Sequence, residues 1–361
     1  MKKNSVASVD KNLKIITSID KDDIVFLDVK EKPFDLYGFC DYKNSFLRMP
    51  MDVAKATSPG VEELTPLTAG GRVRFATDSK YIAIKVQMPR AYVFPHMTIM
   101  GSAGFDIYID GEGESLYERS FFPPVDSEQK VYETYIEFSD RKLRYFTLNF
   151  PLYSPVDNLY IGLQNDAEIT EGKKYKDIKP VLFYGSSITQ GGCVSRPGLC
   201  YQGYLSRSLD IDYINLGFSG NGKAEDSIVD YMKTLDISAF VCDYDWNAPD
   251  SEYLKNTHEK MFLKFREKMP DLPVIFMSAP VFRENDEFFE KRRDIIFKTY
   301  ENAVAKGDEN VYFIDGSSFF TKDERDSATV DMLHPNDIGH FCMARALKPI
   351  LEKALGNIKE V

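Results

Sequence analysis

"VLFYGSSITQGG" (residues 181–192) runs four apolar residues into a glycine, two adjacent serines and a further string of small and hydroxyl-bearing residues. The apolar run reads as a strand buried on both faces. The residues that end it let a backbone turn sharply and approach another group closely. Whether either serine does chemistry depends on what the rest of the chain brings beside it.

The same texture repeats toward the C-terminus. "VLFYGS", "DYINLGF", "AFVCDYD", "LPVIFMSAP" and "NVYFIDGS" are strand-like, and they alternate with helix-like segments. The helical segments are "CYQGYLSRSL", "EDSIVDYMKTL", "SEYLKNTHEKMFLKFREKM", "DEFFEKRRDIIFKTYENAVAKG" and "DIGHFCMARALKPILEKAL". Such alternation predicts a parallel sheet covered by helices on both faces. Pro349 falls inside the last segment and is expected to kink or interrupt it.

Upstream the pattern changes. From about Ile24 to Leu163, runs such as "GRVRFAT", "YIAIKVQM", "FDIYIDG", "KVYETYIEF" and "NLYIGL" are short, β-branched and aromatic, with partial alternation. Closely spaced strands without helical patterns between them predict an antiparallel β-sandwich or jelly roll. The charged stretch "NDAEITEGKKYKDIKP" has little to bury and reads as a linker. Two domains are therefore expected, over residues 1–170 and 178–361. A chain of 361 residues, 43% hydrophobic and 28% charged, has ample material for two cores.

The net charge of −11 argues against a nucleic-acid or anionic-membrane partner, since phosphate binding needs clustered Lys and Arg. No apolar run approaches the length of a membrane span. The start, "MKKNSVASVDKNLKII", has no apolar signal core, and Cys40, Cys193, Cys200, Cys242 and Cys342 are odd in number and scattered. Both features suggest a cytoplasmic protein with reduced thiols, and no CxxC pair suggests zinc.

In an open parallel sheet, active sites form outside the carboxyl ends of the strands. Four strand ends here carry candidates: Ser187, then "NLGFSGNG" (215–222), "DYDWNAP" (243–249) and "VDMLHPND" (330–337). Each alone would pass for a turn. Their order resembles the blocks of the SGNH (GDSL-type) hydrolase superfamily over about residues 179 to 356, with Asp-x-x-His-Pro the most specific block. The resemblance implies an α/β domain of three-layer α/β/α, flavodoxin-like architecture. It also implies Ser187 as nucleophile, Asp331 and His334 as acid and base, and Gly220 and Asn247 in the oxyanion hole beside the backbone of Ser187. Ser186 stands where the superfamily has Asp, and Asp245–Ala248 where it has Gly-x-Asn-Asp.

The chemistry of these residue types fits. A serine hydroxyl is a poor nucleophile until a base takes its proton, and the base needs an orienting acid. Asp331 and His334, three residues apart, can share one turn, and the oxyanion needs N–H donors. No metal or other cofactor is called for. Residues 185–191 lack the Lys-Ser/Thr of a phosphate loop, "GFSGNG" lacks dinucleotide-fingerprint spacing, and no Gly-x-Ser-x-Gly surrounds Ser187. Of the four histidines, only His334 has an acidic partner in a plausible turn; His96, His258 and His340 read as packed or solvated. Trp246 and Arg196 are candidates to line a substrate pocket, each weighed against an ordinary packing or solvated role.

"GFDIYIDG" (104–111) resembles the Gly-x-Asp-Leu-Tyr motif of an N-terminal domain fused to SGNH esterases of bacteria, with Asp106 and Tyr108 read as structural. Related two-domain carbohydrate esterases pair a jelly roll with the catalytic domain. The expectation is thus a serine esterase for small acyl groups, chiefly O-acetyl, on saccharides. A thioesterase or lysophospholipase and a catalytically silent carbohydrate-binding protein are the alternatives. The sugar and the oligomeric state are not legible.

Overall fold

The computed structural model describes residues 17–126, 129–283 and 286–356. The first sixteen residues, on which the reading of the leader rests, lie outside the described residues. The chain divides into two compact units. One holds the described residues up to Arg48 together with Pro66–Tyr175 and Arg196–Gly198. The other holds Met49–Thr65, Lys176–Ser195 and the described residues from Leu199 onward.

The first unit contains β1 (Ile24–Asp28), β2 (Asp35–Tyr37), β3 (Arg72–Thr77), β4 (Tyr81–Gln87) and β5 (Phe105–Asp110). It continues with β6 (Ser115–Phe121), β7 (Val131–Glu137), β8 (Arg144–Asn149), β9 (Asn158–Gln164) and β10 (Ile169–Glu171). Two antiparallel sheets result, ordered β1-β9-β4-β7 and β10-β3-β8-β5-β6, with β2 beside β3. Alternate side chains from both sheets meet in one core: Val73 and Phe75, Ile82, Ile84 and Val86, Phe146 and Leu148, Leu159, Ile161 and Leu163. Each such side chain contributes roughly 1.5–3 kcal/mol on leaving water, so the period of two fixes the sandwich. The sequence patterns do not announce β6 or β8. In "SLYERSF" charged residues break the alternation and Leu116 and Tyr117 are exposed, as suits a strand at a sheet edge.

The second unit is built on β11 (Val181–Gly185), β12 (Tyr213–Gly217), β13 (Ala239–Asp243), β14 (Val274–Met277) and β15 (Val311–Ile314). All pairings are parallel, in the order β12-β11-β13-β14-β15. The strands are apolar throughout because both faces are buried. In β11, Leu182 and Tyr184 enter one core, while Val181 and Phe183 enter the other. The first core is closed by α1 (Met51–Thr57), α2 (Pro59–Leu64), α5 (Asp226–Met232), α6 (Ser251–Lys268) and α7 (Glu287–Ala305); the second by α4 (Tyr201–Leu209) and α8 (Asp337–Gly356). A short helix, α3 (Ser187–Gln190), follows β11 directly. These layers form the doubly wound α/β/α architecture expected from the alternation.

Two local expectations change. α1 and α2 come from a region read as β-rich, yet Met49, Ala54 and Val61 pack in the core of the parallel sheet. Helices of seven and six residues with one fully buried position each are too short to show a period of 3.6. Ser58, capping the N–H of Val61 ahead of Pro59, is their clearest signal. The expected interruption at Pro349 does not occur, since α8 runs from Asp337 to Gly356 through it. No helix among the described residues is long and apolar enough to cross a membrane.

Candidate active site

β11 lies between β12 and β13, where successive crossovers leave the sheet in opposite directions and a crevice opens outside the strand ends. Ser186 and Ser187 occupy that point. Ser186 is fully buried and caps α3, its hydroxyl accepting the N–H of Ile188 at 3.1 Å. Ser187 is the first residue of α3 and partly exposed. Its Oγ lies 3.0 Å from His334 Nε2. His334 Nδ1 in turn lies 2.8 Å from Asp331 Oδ2. The structure therefore brings Ser187, His334 and Asp331 into one chain of hydrogen bonds.

The His334 turn shows why the two residues sit three apart. Asp331 Oδ1 accepts the backbone N–H groups of His334 at 2.7 Å and Leu333 at 3.0 Å, leaving Oδ2 for the imidazole. One carboxylate thus builds the turn and orients the ring it carries. Thr329 adds three bonds, donating to the carbonyl of His334 and accepting the N–H groups of Asp331 and Met332, the latter with a left-handed φ of 66°. Partial burial raises the carboxyl pKa of Asp331. The His334 backbone N–H and imidazole outweigh this and hold it below the ordinary carboxylate value. With Asp331 ionised, a proton on Nδ1 faces it and Nε2 is left to accept from Ser187.

Gly220 lies in the loop after β12 with φ 68°, and a Cβ there would meet nothing within 4 Å, so the backbone conformation and not space selects glycine. Asn247 sits in the turn after β13 but does not present a free amide. Its Nδ2 donates to the carbonyls of Phe218 at 2.9 Å and Gly222 at 3.0 Å, which uses both amide hydrogens. In this arrangement the Asn247 amide ties together the two ends of the Gly220 turn.

The two candidate pocket residues, Arg196 and Trp246, each make contacts within their own unit. Within the first unit, the Arg196 guanidinium donates to Asp106 at 2.7 Å and to the hydroxyl of Tyr108, and lies 3.7 Å from the ring centroid of Tyr117. The N–H of Gly198 and the amide of Asn149 also donate to fully buried Asp106. The "FDIYID" motif is thus a polar clamp on residues 196–198, the structural role expected of Asp106 and Tyr108. Trp246, in the second unit, packs between Phe288 and Phe289 at the start of α7.

Sequence reasoning missed what lies beneath Ser187. Asp243, at the end of β13, accepts the Thr189 hydroxyl, with the N–H of Ser186 3.4 Å from the same oxygen and the Tyr201 hydroxyl 3.4 Å from the other. Gln202 and Asn215 each donate to the carbonyl of Thr189 at 2.7 Å. His340 is buried and works as a bracket: Nδ1 accepts the N–H of Tyr201 at 3.2 Å and Nε2 faces the carbonyl of Gly192 at 3.1 Å. Burial pushes its pKa down to about 4, which keeps it neutral. His258 is likewise buried, against Thr299, and His96 is exposed in the first unit. No local sequence signal marks these braces, because each partner comes from a different element.

The parallel sheet, with Ser187, His334 and Asp331 gathered at its switch point, has a doubly wound, flavodoxin-like architecture. Comparison makes this specific: residues 178–352 match the GDSL-like lipase/acylhydrolase family, and residues 24–169 match the N-terminal domain of SGNH-hydrolase-type esterases. The chain belongs to the SGNH/GDSL esterases. A protein of Bacteroides ovatus put forward as a GDSL-like lipase is similar in structure, with TM-score 0.83 at 29% identity over 92% of this chain and 98% of that one. The salicylyl-acyltransferase SsfX3 of a tetracycline biosynthetic pathway superposes with TM-score 0.75 at 18% identity, over 94% and 99%. An acetyl xylan esterase of Butyrivibrio proteoclasticus does so with TM-score 0.58 at 13%, over 93% and 100%. At these lower identities the likeness is one of fold. No curated protein matches the chain in sequence.

Proposed function

We propose that the chain is a serine esterase that removes small acyl groups, chiefly O-acetyl, from saccharides. The observation that carries the reading is the pair of contacts from Ser187 Oγ to His334 Nε2 and from Nδ1 to Asp331. Ser187 Oγ bonds to the acyl carbonyl carbon as its proton passes to Nε2. Collapse breaks the bond to the alcohol oxygen, which leaves with that proton, and the same steps with water release the acid and restore Ser187. The backbone N–H groups of Ser187 and Gly220 are the oxyanion donors in this reading, with Asn247 shaping the Gly220 turn. The acetyl xylan esterase with the same two-part fold supports an acetylated saccharide as substrate.

A second reading, an apolar ester, draws on Val330, Met332, Ile338 and Phe341, exposed apolar residues flanking His334 in sequence. The specificity constants for p-nitrophenyl acetate, butyrate and octanoate separate the two. Acetate should be preferred, with acetate release from acetylated oligosaccharides; equal or better turnover of octanoate favours the second reading.

A further inference from the structure

Beneath Ser187 lies a buried carboxyl group that the reaction as written does not use. Asp243 is only 5% exposed, and the Thr189 and Tyr201 side chains around it are buried as completely. The fit is close: a Cβ on Gly185, in the neighbouring strand, would stand 1.7 Å from Asp243 Oδ1. The sheet is built so that this carboxyl can pass under the end of β11 and reach the start of α3. It arrives from β13, which pairs Asp243 directly with Gly185. Ser186, at the base of the same turn, offers only a hydroxyl, and that hydroxyl is used as a cap.

We propose that Asp243 is the positioning residue of the Ser187 turn, bracing it so that Ser187 Oγ stays within reach of His334. The inference rests on the serine-esterase reading for its kinetic consequences, but not for its geometry. Three contacts make the brace. Oδ1 receives the Thr189 hydroxyl and faces the N–H of Ser186, while Oδ2 faces the Tyr201 hydroxyl, which also lies 3.2 Å from Thr189 Oγ1. Thr189 is two residues beyond Ser187 in the same helical turn, so a shift of Thr189 moves Ser187 with it.

The groups that act on Asp243 are consistent with a retained proton. Burial pushes its pKa up to about 8, opposed by the Thr189 hydroxyl and reinforced by the nearby carboxyl of Asp245. It faces Thr189 from α3 and Tyr201 from α4, with the thiol of Cys242 next to it in its own strand, and the pKa values of both Cys242 and Tyr201 are raised by burial. None of these is a cation. As pH rises through about 8 the carboxyl ionises beside hydroxyl and carboxyl groups, with no cation among the described groups that act on it most, and the brace loosens. The sign for stability follows. The unfolded chain releases this proton near the ordinary carboxylate range, about 4. The folded state therefore holds one more proton between about 4 and about 8, and stability from this group is lost as pH rises across that window.

The test compares Asp243→Asn, which keeps an acceptor and a donor in place, with Asp243→Ala. Asp243→Ala should lower kcat on p-nitrophenyl acetate by roughly thirtyfold or more, with KM within about twofold. Asp243→Asn should recover kcat to within about threefold at pH 7. It should also abolish the loss of activity expected of the parent as pH rises through about 8, and the loss of Tm expected of it between about pH 4 and about pH 8. Tyr201→Phe, which removes one hydrogen-bond partner, should cost a few-fold and serves if the alanine variant fails to fold. A crystal structure of Asp243→Ala reads the geometry without turnover: the Ser187–His334 separation of 3.0 Å should open beyond hydrogen-bond reach. An unaltered separation, a kcat within twofold for a folded Asp243→Ala, or an asparagine variant as impaired as alanine at pH 7 overturns the proposal. Absence of turnover in the parent itself, with Ser187 displaced from His334 in Asp243→Ala, would instead sink the esterase reading and leave the brace standing.

Discussion

The turn that carries Ser187 and the turn that carries His334 meet at a 3.0 Å contact, yet they are held in opposite ways. The Ser187 turn is buried and braced from outside, by Asp243 from β13, Tyr201 and Gln202 from α4, Asn215 from β12 and His340 from α8. The His334 turn is more exposed and holds itself, with Thr329, Asp331 and Asn336 bonding to backbone within the same few residues. The first is rigid because the core of the domain is rigid. The second owes its shape to one carboxylate and two short side chains, so it can move with far less disturbance to the fold. A hydroxyl fixed in place and an imidazole on a self-contained turn divide the work of holding their contact.

Removing the hydroxyl should produce the largest effect. Ser187→Ala should lower kcat by roughly a thousandfold or more, and a fluorophosphonate probe followed by peptide mass spectrometry should place its adduct on Ser187. An adduct on Ser186 would show that the braced turn presents the other serine. On the self-held side, Asp331→Asn keeps an acceptor for the two turn N–H groups but sets an N–H against His334 Nδ1. We expect a loss of roughly a hundredfold to a thousandfold in kcat with the fold unchanged, read by steady-state kinetics beside circular dichroism. A loss under tenfold would mean that the turn, and not the carboxylate's pairing with the ring, is what the reaction needs. Ser186→Ala should have the smallest effect. It deletes a cap worth about 1 kcal/mol, lowering Tm by a few degrees while leaving kcat within several-fold, because Asp243, Gln202 and Asn215 still hold the turn. Kinetics as poor as those of Ser187→Ala would erase the distinction between the two serines.

The same contrast explains what can be read from sequence. Asp331 and His334 are legible because the device that holds them is local: the spacing of three is the spacing of the turn the carboxylate builds. The strands of both units are legible wherever side chains fall into a regular burial pattern, as in β4, β9 and β11. The braces of Ser187 are not, because Asp243, Tyr201 and His340 have no common spacing and meet only once β11 and β13 are side by side. Asn247 shows a further limit. Its position beside the Gly220 turn follows from the order of the blocks, but which atoms its amide reaches depends on where the carbonyls of Phe218 and Gly222 come to lie. Arg196 reads as a pocket residue because it follows the Ser187 loop in sequence, and no pattern near it announces that buried Asp106 and Tyr108 take up its charge.

Helices α1 and α2 have one more consequence, and it concerns the order in which the chain leaves the ribosome. Met49, Ala54 and Val61 are wholly buried against side chains that begin only at Leu182. At about 5–20 residues per second, those partners emerge on the order of ten seconds later. During that interval the strands on either side of the helices can pair, since β2 and β3 flank them and are hydrogen-bonded neighbours. The helices would then hang from the finished sandwich as a loop with its apolar face in water. A chaperone that shields such segments should therefore matter more to the yield of this protein than to that of a chain whose two halves are contiguous. Moving residues 49–65 to the front of β11 in a circularly rearranged gene should relieve that need.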